Sequence, residues 1–241
     1  MQKPKNKPKA FIFDVFGTLV DWRTGVATVA QKAFKEKSIT YDPFKFAELW
    51  RDEYKPAMER IRSGKRGYIS LDILHRENLE RVLEKTGLSN HFTSTERDTL
   101  NHAWEQLPPW SDVPDNLSKL RKHGFIAPCS NGSIALMMRL ARFANLPWDA
   151  ILGAEIAKNY KPELQVYKAA CQALGLSPED VMMVAAHNDD LFAAREAGLQ
   201  TGFFPRKTEH GPNQTIDLEA ESDWEFCGKD MHSLLTFLEQ Y

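Results

Sequence analysis

The chain has 241 residues, 42% of them hydrophobic and 27% charged, with a formal net charge of −2. That length can bury a sizeable core, as one domain or as a domain with a large insertion, and so small a net charge gives no global argument for nucleic-acid or membrane binding. Three cysteines, Cys129, Cys171 and Cys227, have neither an even count nor metal-ligand spacing, which predicts buried thiols in a reducing cytoplasm rather than a disulfide framework.

Met1 to Lys9 alternates Lys, Pro and Asn without a signal-peptide apolar segment, and reads as a disordered tail whose four lysines are solvated charge. No apolar run approaches the roughly 18 residues of a membrane span. Phe11-Ile-Phe-Asp-Val-Phe-Gly17 reads as a buried parallel strand running into a tight turn, with Asp14 at its far end. A carboxylate there is costly to desolvate unless it is paired, so Asp14 is either a turn-capping residue or a nucleophile.

After Asp21 the pattern takes the helical period. Val26, Val29, Ala30, Ala33 and Phe34 mark one apolar face, and Phe46, Leu49, Trp50, Ala57, Met58 and Ile61 a second helix. Ser70 opens a third, and Thr93-x-x-Glu96 is a capping box for a fourth. Four helices without a strand signal predict a helical cap over residues 22–106, inserted into a core made of 1–21 and 107–241. Leu107-Pro-Pro-Trp110 marks the return to the core. From there strand and helix signals alternate: strands at Phe125–Cys129, Ile151–Ala154, Val181–Ala186 and Gly202–Phe204, possible pairing near Trp224–Cys227, and helices from Ile134, Pro162, Asp189 or Asp190, and Asp230. The fold class this predicts is α/β, a doubly wound parallel sheet with the helical cap inserted.

In such a sheet a ligand site lies beyond the carboxyl ends of the strands. Asp14, Ser130-Asn131, Lys161 and His187-Asn188-Asp189-Asp190 each follow a separate predicted strand. Singly, each has a structural explanation as a turn, a surface lysine or a helix cap; their coincidence points to one site.

Asp14-x-x-Gly-Thr-Leu19 at a strand end resembles the first motif of the haloacid dehalogenase superfamily, and Ser130-Asn131, Lys161-Pro162 with Tyr167, and Asp190 resemble its later motifs in order. With the helical insertion, the likeness is to the type II 2-haloacid dehalogenases. The resemblance implies that Asp14 attacks the substrate and forms an aspartyl ester. The superfamily's phosphatases have a second Asp two residues on, which protonates the leaving oxygen; here that position is Phe16, which suits a halide leaving group. It further implies that Thr18 hydrogen-bonds Asp14, that Arg51 receives the halide, and that Ser130, Asn131 and the following helix N-terminus hold the substrate carboxylate. Lys161 would offset the charges of Asp14 and Asp190, Tyr167 would line the site, and Asn188 would contact substrate or halide. Where the dehalogenases often read Ser-Ser-Asn-x-Trp-Asp, this chain reads Ala185-Ala-His-Asn-Asp-Asp190. His187 therefore stands in place of an asparagine, either as a core residue or as a group assisting the halide or the hydrolytic water.

The activity expected is hydrolysis of short 2-haloalkanoic acids, chloroacetate, L-2-chloropropionate or fluoroacetate, to 2-hydroxy acids, with a small-molecule partner and no metal or cofactor. The family likeness implies a homodimer. A Mg²⁺-dependent phosphatase and a non-catalytic binding protein that kept the fold are the alternatives.

Overall fold

The computed structural model describes residues 6–240. The chain begins its fold with strand β1 (Ala10–Phe13), all four residues buried. It lies at the centre of a six-stranded sheet whose order is Leu152–Gly153 (β3), Phe125–Ser130 (β2), β1, Val181–Ala185 (β4), Gln200–Phe203 (β5) and Phe226–Cys227 (β6), parallel at every pairing. Alternation along β1 divides the core in two. Phe11 and Phe13 join Ile126, Met182 and Val184 in a cluster with the inserted helices. Ala10 and Ile12 join Ala127, Cys129, Met183 and Ala185 on the opposite face.

Five α-helices follow β1. α1 (Trp22–Glu36) is capped by Asp21, whose side chain accepts from Thr24 N. α2 (Pro43–Asp52) is capped by Asp42, with Pro43 at its first position. The single second helix expected from the apolar pattern is two: α3 (Tyr54–Arg62) is a separate element. Pro56 is the cause, because it has no N–H to donate to Asp52 O four residues earlier and its ring crowds that carbonyl, so the ladder ends there. α4 (Leu71–Lys85) starts after Ser70, and α5 (Ser94–Asn101) carries the expected Thr93/Glu96 capping box. The insertion returns beside its point of departure: Asp21 N donates to Pro108 O at 2.8 Å and Trp110 N to Leu19 O at 3.0 Å.

A helix absent from the sequence reading, α6 (Pro114–Leu120), precedes β2 (Phe125–Ser130). α7 (Ile134–Ala144), the short β3 (Leu152–Gly153) and the single turn α8 (Ala154–Ala157) come next. Pro162 was expected as the first helical residue, but Glu163 N closes a turn onto Tyr160 O at 3.1 Å and α9 (Leu164–Leu174) starts after it. β4 (Val181–Ala185), α10 (Asn188–Glu196), β5 (Gln200–Phe203), β6 (Phe226–Cys227) and α11 (Met231–Leu238) complete the core.

Of the tail expected over Met1–Lys9, residues 1–5 lie outside the described residues. Lys9 itself belongs to the sheet margin: its N–H donates to Asp180 O at 2.8 Å and its carbonyl accepts from Phe125 N at 3.0 Å. Cys129 and Cys171 are buried and Cys227 half-buried, all three unpaired. Among the described residues no helix is long and apolar enough to cross a membrane.

Candidate active site

The chain leaves β1 through a turn in which Gly17 has φ +91°, and a Cβ there would come within 2.1 Å of Glu209 Oε1. Only glycine fits that space and that backbone. The turn folds Thr18 back, so that its hydroxyl donates to Asp14 Oδ2 at 2.7 Å and accepts from Ala186 N at 2.9 Å. Arg206 Nε pins the same turn by donating to Thr18 O at 2.8 Å. Asp14 is thereby fixed against the ends of β1 and β4.

Lys161 reaches the same point from the loop after α8. Its ammonium donates to Asp14 Oδ1 at 2.8 Å and to Asp190 Oδ2 at 2.5 Å, while its backbone N–H donates to Asn131 Oδ1 at 2.8 Å. Asp190, in the first turn of α10, also accepts from the Tyr167 hydroxyl. His187, the residue before α10, places Nδ1 3.1 Å from Asp14 Oδ2 and Nε2 2.8 Å from Glu209 Oε2. Glu209 is buried and accepts in addition from Trp22 Nε1 at 2.9 Å.

Burial would raise the Asp14 carboxyl, but Lys161 and then His187 outweigh it and hold Asp14 well below the usual carboxylate range. Burial and the nearby Asp14 charge push Asp190 up, against the pull of Lys161. The two carboxylates are thus driven apart, Asp14 being the more firmly anionic. Lys161 is raised by the same two carboxylates against burial, and His187 is raised well above its ordinary value by Glu209 and Asp14 against burial. Three carboxylates (Asp14, Asp190, Glu209) face two cations (Lys161, His187), leaving one net negative charge at the centre.

A cavity of about 590 Å³ opens over this cluster, lined by Asp14, Lys161, His187, Asp190 and Glu209 from the core and by Trp22, Arg51, Tyr54, Met58 and Arg62 from the inserted helices. Phe16 forms part of its apolar wall, packed edge-on against Trp104 at 5.8 Å and Tyr54 at 6.5 Å. Arg51 lies over the Tyr54 ring at 4.1 Å and the Trp22 ring at 5.3 Å. Among the described residues its Nη1 is buried without a hydrogen-bond partner.

The sequence-predicted residues are not all at the cavity. Asp14, Phe16, Arg51, Asn131, Lys161, His187 and Asp190 line it. Tyr167, expected to line the site, is buried behind Asp190 and reaches it only through that carboxylate. Ser130, expected to hold a carboxylate, is fully buried, with Oγ accepting from Gly132 N at 3.1 Å. The N-terminus of α7, assigned the same task, has two donors already engaged: Ile134 N with Glu155 at 2.6 Å and Leu136 N with Ser133 at 3.0 Å. Asn188 turns away from the cavity, its side chain bonding Asp217, Glu219 O, Glu221 N and Trp224. Glu209, His210 and Arg62 were absent from the sequence reading. No signal marked the first two, which lie in the irregular stretch between β5 and β6.

Residues 8–198 match the model of the haloacid dehalogenase-like hydrolases. The (S)-2-haloacid dehalogenase of Pseudomonas sp. (strain YL) is 29% identical over 220 residues, 90% of this chain and 89% of that protein. The crystal structure of a defluorinating L-2-haloacid dehalogenase superposes with a TM-score of 0.95 at 43% identity, over 96% of this chain and 95% of that one. A second L-2-haloacid dehalogenase structure gives 0.94 at 41%, over 97% and 100%. An apolar residue two places after the strand-end aspartate, a lysine bridging two buried carboxylates and a free guanidinium across the cavity accompany that likeness along nearly the whole chain, which belongs to the haloacid dehalogenase-like hydrolases and, within them, to the L-2-haloacid dehalogenases.

Proposed function

We propose that the protein hydrolyses short 2-haloalkanoic acids, including chloroacetate and L-2-chloropropionate, through an ester on Asp14. The observation that carries this is a buried, firmly anionic Asp14 sharing one cavity with an Arg51 guanidinium whose Nη1 has no partner among the described residues. A carboxylate needing no deprotonation attacks C2 from the side opposite the halogen, forming an O–C2 bond as the C2–halogen bond breaks. The departing halide is received by Arg51, which needs no reorganisation to meet the charge. Asn131, its Oδ1 occupied by Lys161 N, presents its amide Nδ2 to the substrate carboxylate. Water then attacks the Asp14 carbonyl carbon, assisted by His187 and Asp190, and releases the 2-hydroxy acid with inversion at C2.

Fluoroacetate falls within this reading. Arg51 offers its unpartnered Nη1 to a small halogen, and a defluorinating relative superposes over 96% of the chain; His187, with Nδ1 on Asp14 and Nε2 on Glu209, has no N–H left for the halogen. We further propose that residues 22–106 act as a cap on the core of 1–21 and 107–241, since α2 and α3 supply Arg51, Tyr54, Met58 and Arg62 to the cavity wall. A cytoplasmic setting rests on the three unpaired cysteines, and a homodimer on the family likeness alone, to be checked by sedimentation.

The test is chloride release from L-2-chloropropionate with EDTA present, beside phosphate release from p-nitrophenyl phosphate with Mg²⁺. Chloride release that survives EDTA and falls at least about 10³-fold in Asp14→Asn is the expected result. Phosphate release alone would replace the dehalogenase reading with a metal-dependent phosphatase, and neither product would leave a binding protein. Fluoride released from fluoroacetate supports the extended range; chloride from chloroacetate without fluoride refutes it.

A further inference from the structure

Hydrolysis of an ester on Asp14 needs donors for the charge that forms on its carbonyl oxygen, and the two oxygens of Asp14 are met differently. A carboxylate oxygen offers two lone pairs in its plane. At Oδ2 both are taken, by the Thr18 hydroxyl at 2.7 Å and by His187 Nδ1 at 3.1 Å. Among the described residues Oδ1 accepts from Lys161 Nζ alone, at 2.8 Å, and so keeps a lone pair for C2. The same geometry sets the charge of His187. Its Nε2 lies 2.8 Å from Glu209 Oε2, and because a carboxylate only accepts, each ring nitrogen holds a proton and the ring is an imidazolium. Glu209 is held in turn: its side chain is 1% exposed, Trp22 Nε1 donates to Oε1 at 2.9 Å, and the absent side chain of Gly17 leaves the carboxylate its place.

We propose that Glu209 is a positioning residue for ester hydrolysis, holding His187 as the imidazolium whose Nδ1–H, together with the Thr18 hydroxyl, faces the oxyanion on Asp14 Oδ2. The proposal rests on Asp14 as nucleophile; it makes His187 a donor throughout and leaves Asp190 as the base. Asp14 Oδ1 bonds to C2 as the electron pair of the C2–halogen bond leaves with the halide, and Oδ2 becomes the ester carbonyl oxygen. Esterification removes the Asp14 charge, so Glu209 is the anion that remains beside His187 and keeps both its protons in place. A water oxygen then bonds to the Asp14 carbonyl carbon, a water proton passes to Asp190, and the carbonyl pair moves onto Oδ2 between Thr18 and His187. The pair returns and the carbon–Oδ1 bond breaks. Lys161, 2.8 Å from Oδ1 and 2.5 Å from Asp190 Oδ2, gives the alkoxide a proton and regains one from Asp190. The hydroxy acid leaves with Oδ1, and Asp14, now a carboxylic acid carrying the water oxygen, loses its proton to water in the cavity.

The charges of the site agree with these roles. Burial would raise Glu209, but His187, and then His210 and Arg51, outweigh it and keep Glu209 anionic. Asp190 is pushed up, by burial before any other cause, which suits it to take a proton from water. In the ester, Lys161 and His187 balance Asp190 and Glu209, and the oxyanion appears as Asp190 is protonated, so no net charge builds up in the buried site.

The experiment compares wild type with Glu209→Gln, which keeps the side-chain shape and an acceptor for Trp22, and with His187→Gln, which tests the same step should the first misfold. The substrate is L-2-chloropropionate. Chloride is followed in the first turnover and at steady state, intact protein mass reports ester on Asp14, and ¹⁵N NMR of the histidine rings at pH 8 reports the protons on His187. In Glu209→Gln the expected result is first-turnover chloride near the wild-type rate and steady-state turnover lower on the order of 10²-fold, comparable to losing one preorganised donor. Ester accumulates, and the His187 ring carries one proton where wild type carries two. His187→Gln gives the same burst and the same ester. A general-base His187 would instead be freed by loss of the Glu209 charge, so wild-type or faster turnover in Glu209→Gln overturns the proposal. It is equally overturned by a His187 still doubly protonated in that variant, or by burst and steady state that fall together without ester. With enzyme in excess in H₂¹⁸O the first product carries unlabelled Oδ1; ¹⁸O in that product overturns the nucleophile reading, and the proposal with it.

Discussion

The two halves of the cavity are finished to different degrees. On the core side, among the described residues, the buried charged groups that line the cavity are engaged: Asp14 takes Thr18, Lys161 and His187, and Asp190 takes Lys161 and Tyr167, while Arg206 Nη2, outside the lining, has no partner. On the inserted-helix side, among the described residues, Arg51 Nη1, both ring nitrogens of His75, Asn78 Nδ2 and Trp104 Nε1 are buried with no partner. Buried polar atoms without partners carry a desolvation cost that partners would offset. The core half already holds an anionic Asp14 among its partners, whereas Arg51 faces the cavity with a donor to spare, which is what the proposed halide receptor requires.

The difference is broken most directly at Lys161. Lys161→Met leaves Asp14 and Asp190 facing each other in a buried site with no cation between them. Removing one partner of a buried pair costs about 3–5 kcal/mol, which at about 2–4 °C per kcal/mol for a chain of this size lowers the melting temperature by roughly 10 °C. Thermal unfolding at neutral pH checks this, and a melting temperature within a degree or two of wild type would mean the core side is not held by that triad.

Arg51→Lys tests the other half. The charge remains, but the planar stack over Tyr54 and Trp22 and the free fork are lost. First-turnover halide release should fall by about 10²-fold, comparable to losing one preorganised donor, while the melting temperature changes little. A large stability loss with intact halide release would reverse the assignment of roles.

Legibility in the sequence follows the same division. Asp14, Lys161 and Asp190 were readable because each follows an apolar strand in a parallel sheet, where few explanations other than a site survive. Tyr167 and Asn188 were found but misplaced, because spacing on a helix says nothing about which neighbour a hydroxyl or amide meets. Glu209 was invisible: it lies in the irregular stretch between β5 and β6, where no period marks burial. Its sealing by Gly17 and Trp22 is a contact across 187 residues in the latter case. The α2–α3 break was legible at Pro56 and was overridden by an apolar pattern that continued past it.

Two histidines, His75 buried on one side and His187 half-buried on the other, sharpen the comparison through pH. His187 is raised by Glu209 and Asp14 against burial, so its contribution to stability is fully present below the unfolded value of about 6.5 and is lost as pH rises through the folded value. His75 is stacked on Trp104 at 4.2 Å and lowered well below its ordinary value, by burial and then by Arg51. Its contribution is present above about 6.5 and is lost as pH falls. The slope is at most about 1.4 kcal/mol per pH unit for either. Melting temperatures of His187→Gln and His75→Phe relative to wild type, from pH 5 to 9, should therefore diverge in opposite directions: the His187→Gln deficit shrinks toward alkaline pH, and wild type loses ground to His75→Phe toward acid. Parallel profiles would mean that the two rings do not differ in charge.

The smallest effect is expected where the halves meet in solvent. Lys55 on α3 and Asp189 on α10 approach to 3.6 Å across the cavity mouth, with side chains 79% and 68% exposed. They face each other as Lys161 and Asp14 do, yet water screens them and both side chains would lose rotamer freedom to hold the contact. A double-mutant cycle with Lys55→Ala and Asp189→Ala should give a coupling of about 0.5 kcal/mol or less, vanishing in high salt. A coupling well above 1 kcal/mol would show that the exposed pair fastens α3 to the core, and that part of the cavity's geometry is held from its rim and not from the buried triad alone.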